Sequence, residues 1–577
     1  MKKLQLVAVC VLLLLVLVMV LVACRGGEET PAPPVAPTPT PQAADNQPAQ
    51  QQEDPPEEPG GIMNPIGTLP IVNEPFTLSV MTTFRSGQDM ETNLPALEFE
   101  ARTGISVEWT QVPEADMTTR LTLALATGDY PEIIMRWGNI GDHAMIYYFA
   151  QMGIFRSISP YIDTYAPNLQ RLFATHPYVH NDMIMPNGNI YGFPAVDDCF
   201  HCQSPYKLWI YTPWLDALGL DMPETTDDLL NVLRAFRDGD PNGDGVPVVP
   251  FLGAQQWANH VCTLLSAWIT TRPGHRVQQV NGEAFPTMIQ PEFRDGLRFL
   301  SQLHDEGLLS SESFVIDRAG AQPIANDPDR PMVGVFPANW MAAFISVDVT
   351  DQEGRWNGYR MIPPLRGPGG HQETPLVPLQ GNHRAVITNM TSDETMPIAV
   401  RWLDNFLTYE FALLAVEGIE GITWRRAEPG EIGIHGGPGM WARIHGVEFD
   451  PNVNHFGQMV PNWRSHNFRL SEVANRDIIE QETLLYDVTH LQVPYRQALD
   501  NVMPILMFDE ATSVELVDLR TNINTFVLES IARFTVGDIC IENDWDWYVR
   551  ELQVIGLDRY VEILNQGLAE RRARLGS

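Results

Sequence analysis

The sequence predicts an α/β fold built around a parallel sheet, and three observations carry that prediction. From Phe76 onward, strand-like and helix-like hydrophobic periods alternate along the chain. The chain has 577 residues, 44% of them hydrophobic, which at roughly 100–200 residues per domain allows two large lobes or about three domains. Its far end, Trp545 to Leu575, keeps a helical period and predicts a closing helical segment.

The elements follow in order. Phe76–Thr83 alternates as a strand does; Asp89–Arg102 has helical spacing through Leu94, Leu97 and Phe99, and Thr103-Gly104 ends it. Ile105–Thr110 is a second strand, Asp116–Thr127 a second helix closed at Gly128, and Glu132–Trp137 a third, buried strand. Strand–helix–strand repeats of this kind imply right-handed crossovers and a parallel sheet, whose ligands lie beyond the carboxyl ends of the strands. Those ends carry Thr82, Thr83, Phe84 and Arg85 after the first strand, and Trp137, Asn139 and Asp142 after the third.

The residues before this region give a location. Lys2 and Lys3, an apolar run from Leu6 to Ala23 and then Cys24 form an export signal. Leu21-Val22-Ala23-Cys24 resembles the bacterial lipobox, which implies a signal peptide over 1–23 and a lipid on Cys24. An uncleaved transmembrane anchor is the competing reading, because the run approaches the ~18-residue spanning limit. Residues 24–75 lack aromatic side chains and are rich in Pro, Gln, Glu and Ala, which predicts an extended disordered linker rather than a packed element.

Charge removes one class of function. The formal net charge is −35, and lysine occurs only at Lys2, Lys3 and Lys207. Such a surface repels phosphate chains, so nucleic-acid binding is excluded. Past Cys24 only Cys199, Cys202, Cys262 and Cys540 remain, too few for a disulfide scaffold.

The segments ALEFEARTGISVEW, LALATGDYPEIIM, GIFRSISPYIDTYAPNL, NGNIYGFP and KLWIYTPWLDALGLDMPETTDDLLNVLRAFRDGDPNG come in a telling order. In that order, and with TNINTFVLESIARFTVGD and WDWYVRELQVIGLDRYVEI near the end, the chain is similar to the family 1 extracellular solute-binding lipoproteins of ABC importers, in particular their LplA-type sugar-binding branch. The resemblance implies a two-lobe, type II periplasmic-binding-protein-like fold with a hinge. It assigns 76–200 to lobe 1, 201–380 to lobe 2, 381–455 to the return into lobe 1, and 456–577 to a mostly helical part closing the two lobes. The first crossing is placed near Ala195–Pro205 and the return near Pro378–Ile387. The implied partners are a saccharide ligand, the transmembrane subunits of an ABC permease, and the outer face of the cell membrane through the lipid on Cys24.

Saccharides ask for flat apolar faces and for fixed polar groups. Trp137, past the third strand, and Trp340, in Phe336-Pro-Ala-Asn-Trp340, stand where such proteins place stacking residues. Asp197 and Asp198 lie at the expected crossing. In extended chain they point opposite ways, so Asp198 is taken to face the cleft and Asp197 to be solvated. Arg85, Trp257, Trp424, Trp463 and Arg464 complete the candidate ligand set, with core packing as the rival role for the tryptophans.

Three further motifs need weighing. Cys199-Phe-His-Cys202 lacks a second ligand pair for zinc, and its acidic neighbours disfavour a reactive thiolate. Similar stretches in the resembling branch imply either a local disulfide or two structural thiols. Asp240, Asn242 and Asp244, with Gly245, match the first half of a calcium loop, but Val248 and Phe251 stand where its second half needs oxygen ligands; a plain Asp/Asn/Gly turn is the rival. His435-Gly-Gly-Pro-Gly439 imitates a hydrolase oxyanion loop, yet no Gly-x-Ser-x-Gly elbow accompanies it. The function expected is capture of an oligosaccharide without chemistry or cofactor. A surface glycoside hydrolase, or a binder of peptides or anionic saccharides on the same fold, are the alternatives.

Overall fold

The computed structural model describes residues 61–576 apart from Arg85, 136–142, 255–258, His275, 349–350, 457–459 and 476–479, with the side chain of Glu510 also left out. Cys24, Arg85, Trp137 and Trp257 therefore lie outside the described residues.

In chain order the first strands are Phe76–Phe84 (β1), Ile105–Pro113 (β2), Ile133–Met135 (β3), Gly192–Phe193 (β4) and Ala195–Asp197 (β5). There follow Leu208–Tyr211 (β6), Val249–Phe251 (β7), Val277–Val280 (β8), Glu283–Pro286 (β9), Val333–Pro337 (β10) and Tyr359–Ile362 (β11). The last are Ala385–Ile387 (β12), Trp424–Arg426 (β13), Trp441–Arg443 (β14) and Asn462–Arg464 (β15).

Lobe 1 is a sheet in the order β2-β1-β3-β12-β4. β1 pairs in parallel with both β2 and β3, as the strand–helix alternation predicts. β12 corrects the wholly parallel expectation: it enters antiparallel to β3 and β4, because the chain returns from lobe 2 rather than through a crossover helix. Alternate residues feed the two faces of this sheet, as strand geometry requires. Ile133 and Met135 join Ala385 and Ile387 in one core, while Ile134 and Val386 join Met81 in the other. The helix between β1 and β2 is Leu94–Thr103, capped by the Asn93 side chain, and that between β2 and β3 is Met117–Thr127. Both end on glycines in the left-handed region, at Gly104 (φ 73°) and Gly128 (φ 77°).

Lobe 2 is a second sheet, β11-β6-β10-β7. Its faces divide the same way: Leu208, Ile210 and Val335 enter one core, Trp209 and Phe336 the other. Residues 194–207 lead from the first sheet to the second and 363–384 lead back. β15 then returns to pair with β5 in a two-stranded ladder of its own.

Three boundaries move. The folded part starts before Phe76: Ile71 and Val72 are fully or nearly buried in the lobe 1 core, and Met63 bridges to Val72. Arg401, 3% exposed, donates to the carbonyls of Asn64, Pro65 and Thr68, which ties this short segment down despite its linker-like composition. Second, Phe456 and Val460 remain in the lobe 1 core, so the helical C-terminal part does not begin at 456. It begins with Glu510–Val536, followed by Ile541–Ile555 and Leu557–Leu575. Third, the helical period from Trp545 is broken at Gly556, whose φ of 118° no other residue type adopts readily.

Ile523, Val527, Phe534, Trp545, Tyr548 and Leu564 of these helices belong to the lobe 2 core. Arg571 also reaches lobe 1, pairing with the buried Asp182 at 2.9 Å. No helix among the described residues is long and apolar enough to cross a membrane.

Candidate ligand site at the lobe crossing

The β5–β15 ladder brings together residues about 270 positions apart. Asn462, Trp463 and Arg464 pair in parallel with Ala195, Val196 and Asp197, and the Asp198 amide donates to the Arg464 carbonyl at 2.8 Å. Asp197 and Asp198 take different partners, and both carboxylates are engaged. Asp198 bonds His176 Nε2 at 2.9 Å and accepts from the His466 amide at 3.3 Å. Asp197 is held by Arg464 at 2.5 Å and by both Nε and Nη2 of Arg469, at 2.8 and 2.9 Å. Burial pushes the Asp197 carboxyl up, yet Arg469 and Arg464 together hold it below its ordinary value.

The charges continue outward. Arg469 lies 3.5 Å from Glu482, and Glu482 sits on the helix Gln481–His490, whose Leu485 and Val488 pack into lobe 2. The crossing is thus pinned to both lobes. Behind it, Arg443 serves Glu417 through two nitrogens, at 2.9 and 3.0 Å, and Glu472 through one, at 3.0 Å. Glu472 is buried beside Glu417, Glu482 and Glu480, and burial with these like charges outweighs Arg443 and pushes its carboxyl up to about 8.

Trp463 has one ring face covered by the Arg171 guanidinium, 5.3 Å from its centroid, and an edge against His176 at 5.8 Å. Its Nε1 is buried without a hydrogen-bond partner. As a free stacking platform Trp463 is therefore corrected to a wall of the crossing, and Arg464 from an anion clamp to the counter-ion of Asp197. Trp424 is corrected further: it is 5% exposed, donates to the Gly418 carbonyl at 3.1 Å, and packs with Trp441 and Phe468 in a small core of its own. Trp340 differs from all of these. It stands just past the carboxyl end of β10, half-buried, with its ring edge-on to Trp209 at 6.1 Å.

Between the lobes Cys199 and Cys202 form a disulfide, which settles the two readings of that motif. Both sulfurs are taken, so the Cys199–His201–Cys202 group, the only metal-like cluster among the described residues, has a single ligand atom left. That atom belongs to a neutral ring: burial, then Arg469 and Lys207, push His201 down to about 3. Lys207 is 1% exposed and donates to the carbonyls of His201, at 3.3 Å, and Ser204. Burial and Arg496 lower its pKa to about 7. Sequence reasoning missed this lysine, as it missed His176 and Arg469; a single lysine beside the crossing was the one available signal.

The calcium-like loop is closed by its own chain. Asp240 accepts from the amides of Asp244 and Gly245 at 3.1 and 3.0 Å, Asn242 accepts from Trp214 Nε1 at 2.8 Å, and Asp244 pairs with Arg330 at 3.0 Å. The three side chains singled out for a cation are engaged as a turn, with a guanidinium beside them.

The sequence profile described as bacterial extracellular solute-binding protein matches residues 89–383. The chain belongs to that family. It is 26% identical over 529 residues to the fructooligosaccharide ABC transporter substrate-binding protein FusA of Streptococcus pneumoniae serotype 4, covering 86% of this chain and 90% of that one. It is 26% identical over 354 residues to lipoprotein LipO of Bacillus subtilis, covering 60% and 67%. The structure of S. pneumoniae FusA in complex with kestose superimposes with a TM-score of 0.68 at 22% identity, covering 86% of this chain and 99% of that one, and shows the shared two-lobe fold.

Proposed function

We propose that this solute-binding protein captures an oligosaccharide between its two lobes and delivers it unchanged to an ABC permease, held at the outer membrane face by a lipid on Cys24. The observation that carries the reading is the likeness to FusA along nearly the whole of both chains, which includes both lobes and the crossing. Closing of the lobes would bury the sugar and create the surface a permease reads. Trp340, at a strand end in lobe 2, offers an aromatic face; Arg85, Trp137 and Trp257 remain proposed ligand residues, and Asp198 acts from the crossing.

The chemistry of the carboxylates supports binding over hydrolysis. A glycosidase needs one carboxyl kept protonated beside a second that is ionised. Asp197 is held ionised by two arginines. The described carboxyls raised by burial serve structural partners: Glu472 pairs with Arg443 and Asp182 with Arg571, Asp404 caps the helix at Asn168 and Leu169, and Glu100 accepts from Trp109 and Val107.

Calorimetric titration with a panel of fructo-oligosaccharides and other oligosaccharides tests the proposal. A sugar recovered intact after binding is expected, and Trp340→Ala is expected to weaken its binding about tenfold while the protein still unfolds cooperatively. Binding of peptides but of no saccharide would overturn the cargo, and release of shortened sugars would overturn the absence of chemistry.

A further inference from the structure

Lobe 2 buries an arginine that the crossing does not use. Arg276 precedes β8, is 2% exposed, and none of its three guanidinium nitrogens has a hydrogen-bond partner among the described residues. The titratable groups that feel its charge are Tyr206, Cys262 and Tyr548. Arg272, four residues earlier and partly buried, acts on the same Tyr206 and Cys262. No carboxylate faces either guanidinium among these groups. Glu373, which the same segment touches, accepts from the Thr270 hydroxyl instead.

Among the described groups that act on Arg276, none carries a negative charge. Burial raises the Tyr206 and Tyr548 phenols and pushes the Cys262 thiol up to about 11, so all three stay neutral. Tyr548 donates to the Met288 carbonyl at 3.3 Å, and the Thr287 hydroxyl donates to the Arg276 carbonyl at 2.8 Å, beside Thr271 at 3.3 Å. A lysine here could shed its proton, as Lys207 is poised to do; arginine cannot at any working pH. An ionised group taken out of water without a counter-charge is among the most unfavourable arrangements a core can contain. The buried Arg276 guanidinium therefore calls for a negative partner from outside the chain.

We propose that Arg276 holds a small inorganic anion of the halide class inside lobe 2. The near-complete burial of Arg276 suits an ion of atomic size rather than the carboxylate of a saccharide. Such an ion would be a structural counter-ion of the lobe, separate from the cargo.

Thermal unfolding of the full chain in detergent, in sodium chloride and in sodium methanesulfonate of equal ionic strength, tests this. Chloride at tenfold its dissociation constant is expected to raise the midpoint of the lobe 2 transition by roughly 2–4 °C over methanesulfonate. Arg276→Met is expected to abolish the difference. Equal midpoints in the two salts, or a difference that survives in Arg276→Met, would overturn the proposal. Crystals soaked in bromide give a readout that needs no variant: an anomalous peak within hydrogen-bond reach of the Arg276 guanidinium is expected, and its absence overturns the site. An acidic oligosaccharide that raises the midpoint in methanesulfonate, and loses the effect in Arg276→Met, would place a cargo carboxylate there and overturn the inorganic anion.

Discussion

Two acid-rich stretches of this chain look alike in sequence and behave differently in the fold. Asp240-Pro-Asn-Gly-Asp244 satisfies its carboxylates chiefly with backbone amides from its own turn, whereas Asp197-Asp198 satisfies both with side chains brought from elsewhere: His176, Arg464 and Arg469. The first is a local device at the surface, and changing it should be felt locally. The second ties β5 to β15 and, through Glu482, to lobe 2, so it bears on how the lobes are joined. Acidic residues in a row say little; the partners that the topology delivers decide their role.

Breaking the crossing should give the largest effect. Asp197→Asn leaves Arg464 and Arg469 facing a neutral amide, and with Asp197 only 30% exposed we expect about 2–4 kcal/mol of lost stability in urea unfolding at pH 7. The Asp197 carboxyl titrates below its ordinary value near 3.8, so its contribution is present above that pH and lost as pH falls through the folded value. Wild type and variant should therefore converge in strong acid. A loss under 0.5 kcal/mol at pH 7 would show that water screens the crossing as it does the turn.

Glu472 sharpens the contrast with the opposite sign. Its folded pKa is raised, to about 8, so the protonated form suits the fold; stability is fully present near pH 4.5 and lost as pH rises through 8. Glu472→Gln should remove that loss, on the order of 1–3 kcal/mol between pH 5 and pH 8. Parallel pH profiles for the two proteins would mean that Arg443 keeps Glu472 ionised.

At the turn the expected effects are smallest. Asp240→Ala should cost about 1 kcal/mol or less, the scale of side-chain hydrogen bonds in a surface turn, and leave saccharide affinity unchanged. Chelator should not move the unfolding midpoint of the wild type. A midpoint that rises with added calcium and falls with chelator would restore the loop as a cation site and make the two stretches more alike than the geometry says.

The sheets were legible in the sequence because their signals are local. Ile133-Ile-Met135 reads as a buried strand on its own, and Gly104 and Gly128 end their helices where a left-handed cap is needed. The linker composition of 61–75 misled because packing there depends on Arg401, more than 300 residues away, whose role no local pattern announces. Likewise Trp424 and Trp463 are the same residue type in similar loop-like surroundings, and only tertiary contacts separate an indole bonded inside a small core from one clamped at the crossing. Arg464 stands out in the sequence by charge alone, since an arginine meant for a ligand and one meant for Asp197 are indistinguishable until β15 is seen beside β5.

Lys207 has an experimental use. It is the only lysine beyond Lys3, it lies where the chain passes between the lobes, and its ammonium is already close to neutral at physiological pH. An amine-reactive reagent finds this nucleophile only while the surrounding carbonyls of His201 and Ser204 let go of it. The rate of acylation at this one position is therefore a natural stopwatch for the breathing of the joint, with no label to engineer, and a cargo that quiets the joint should slow the clock.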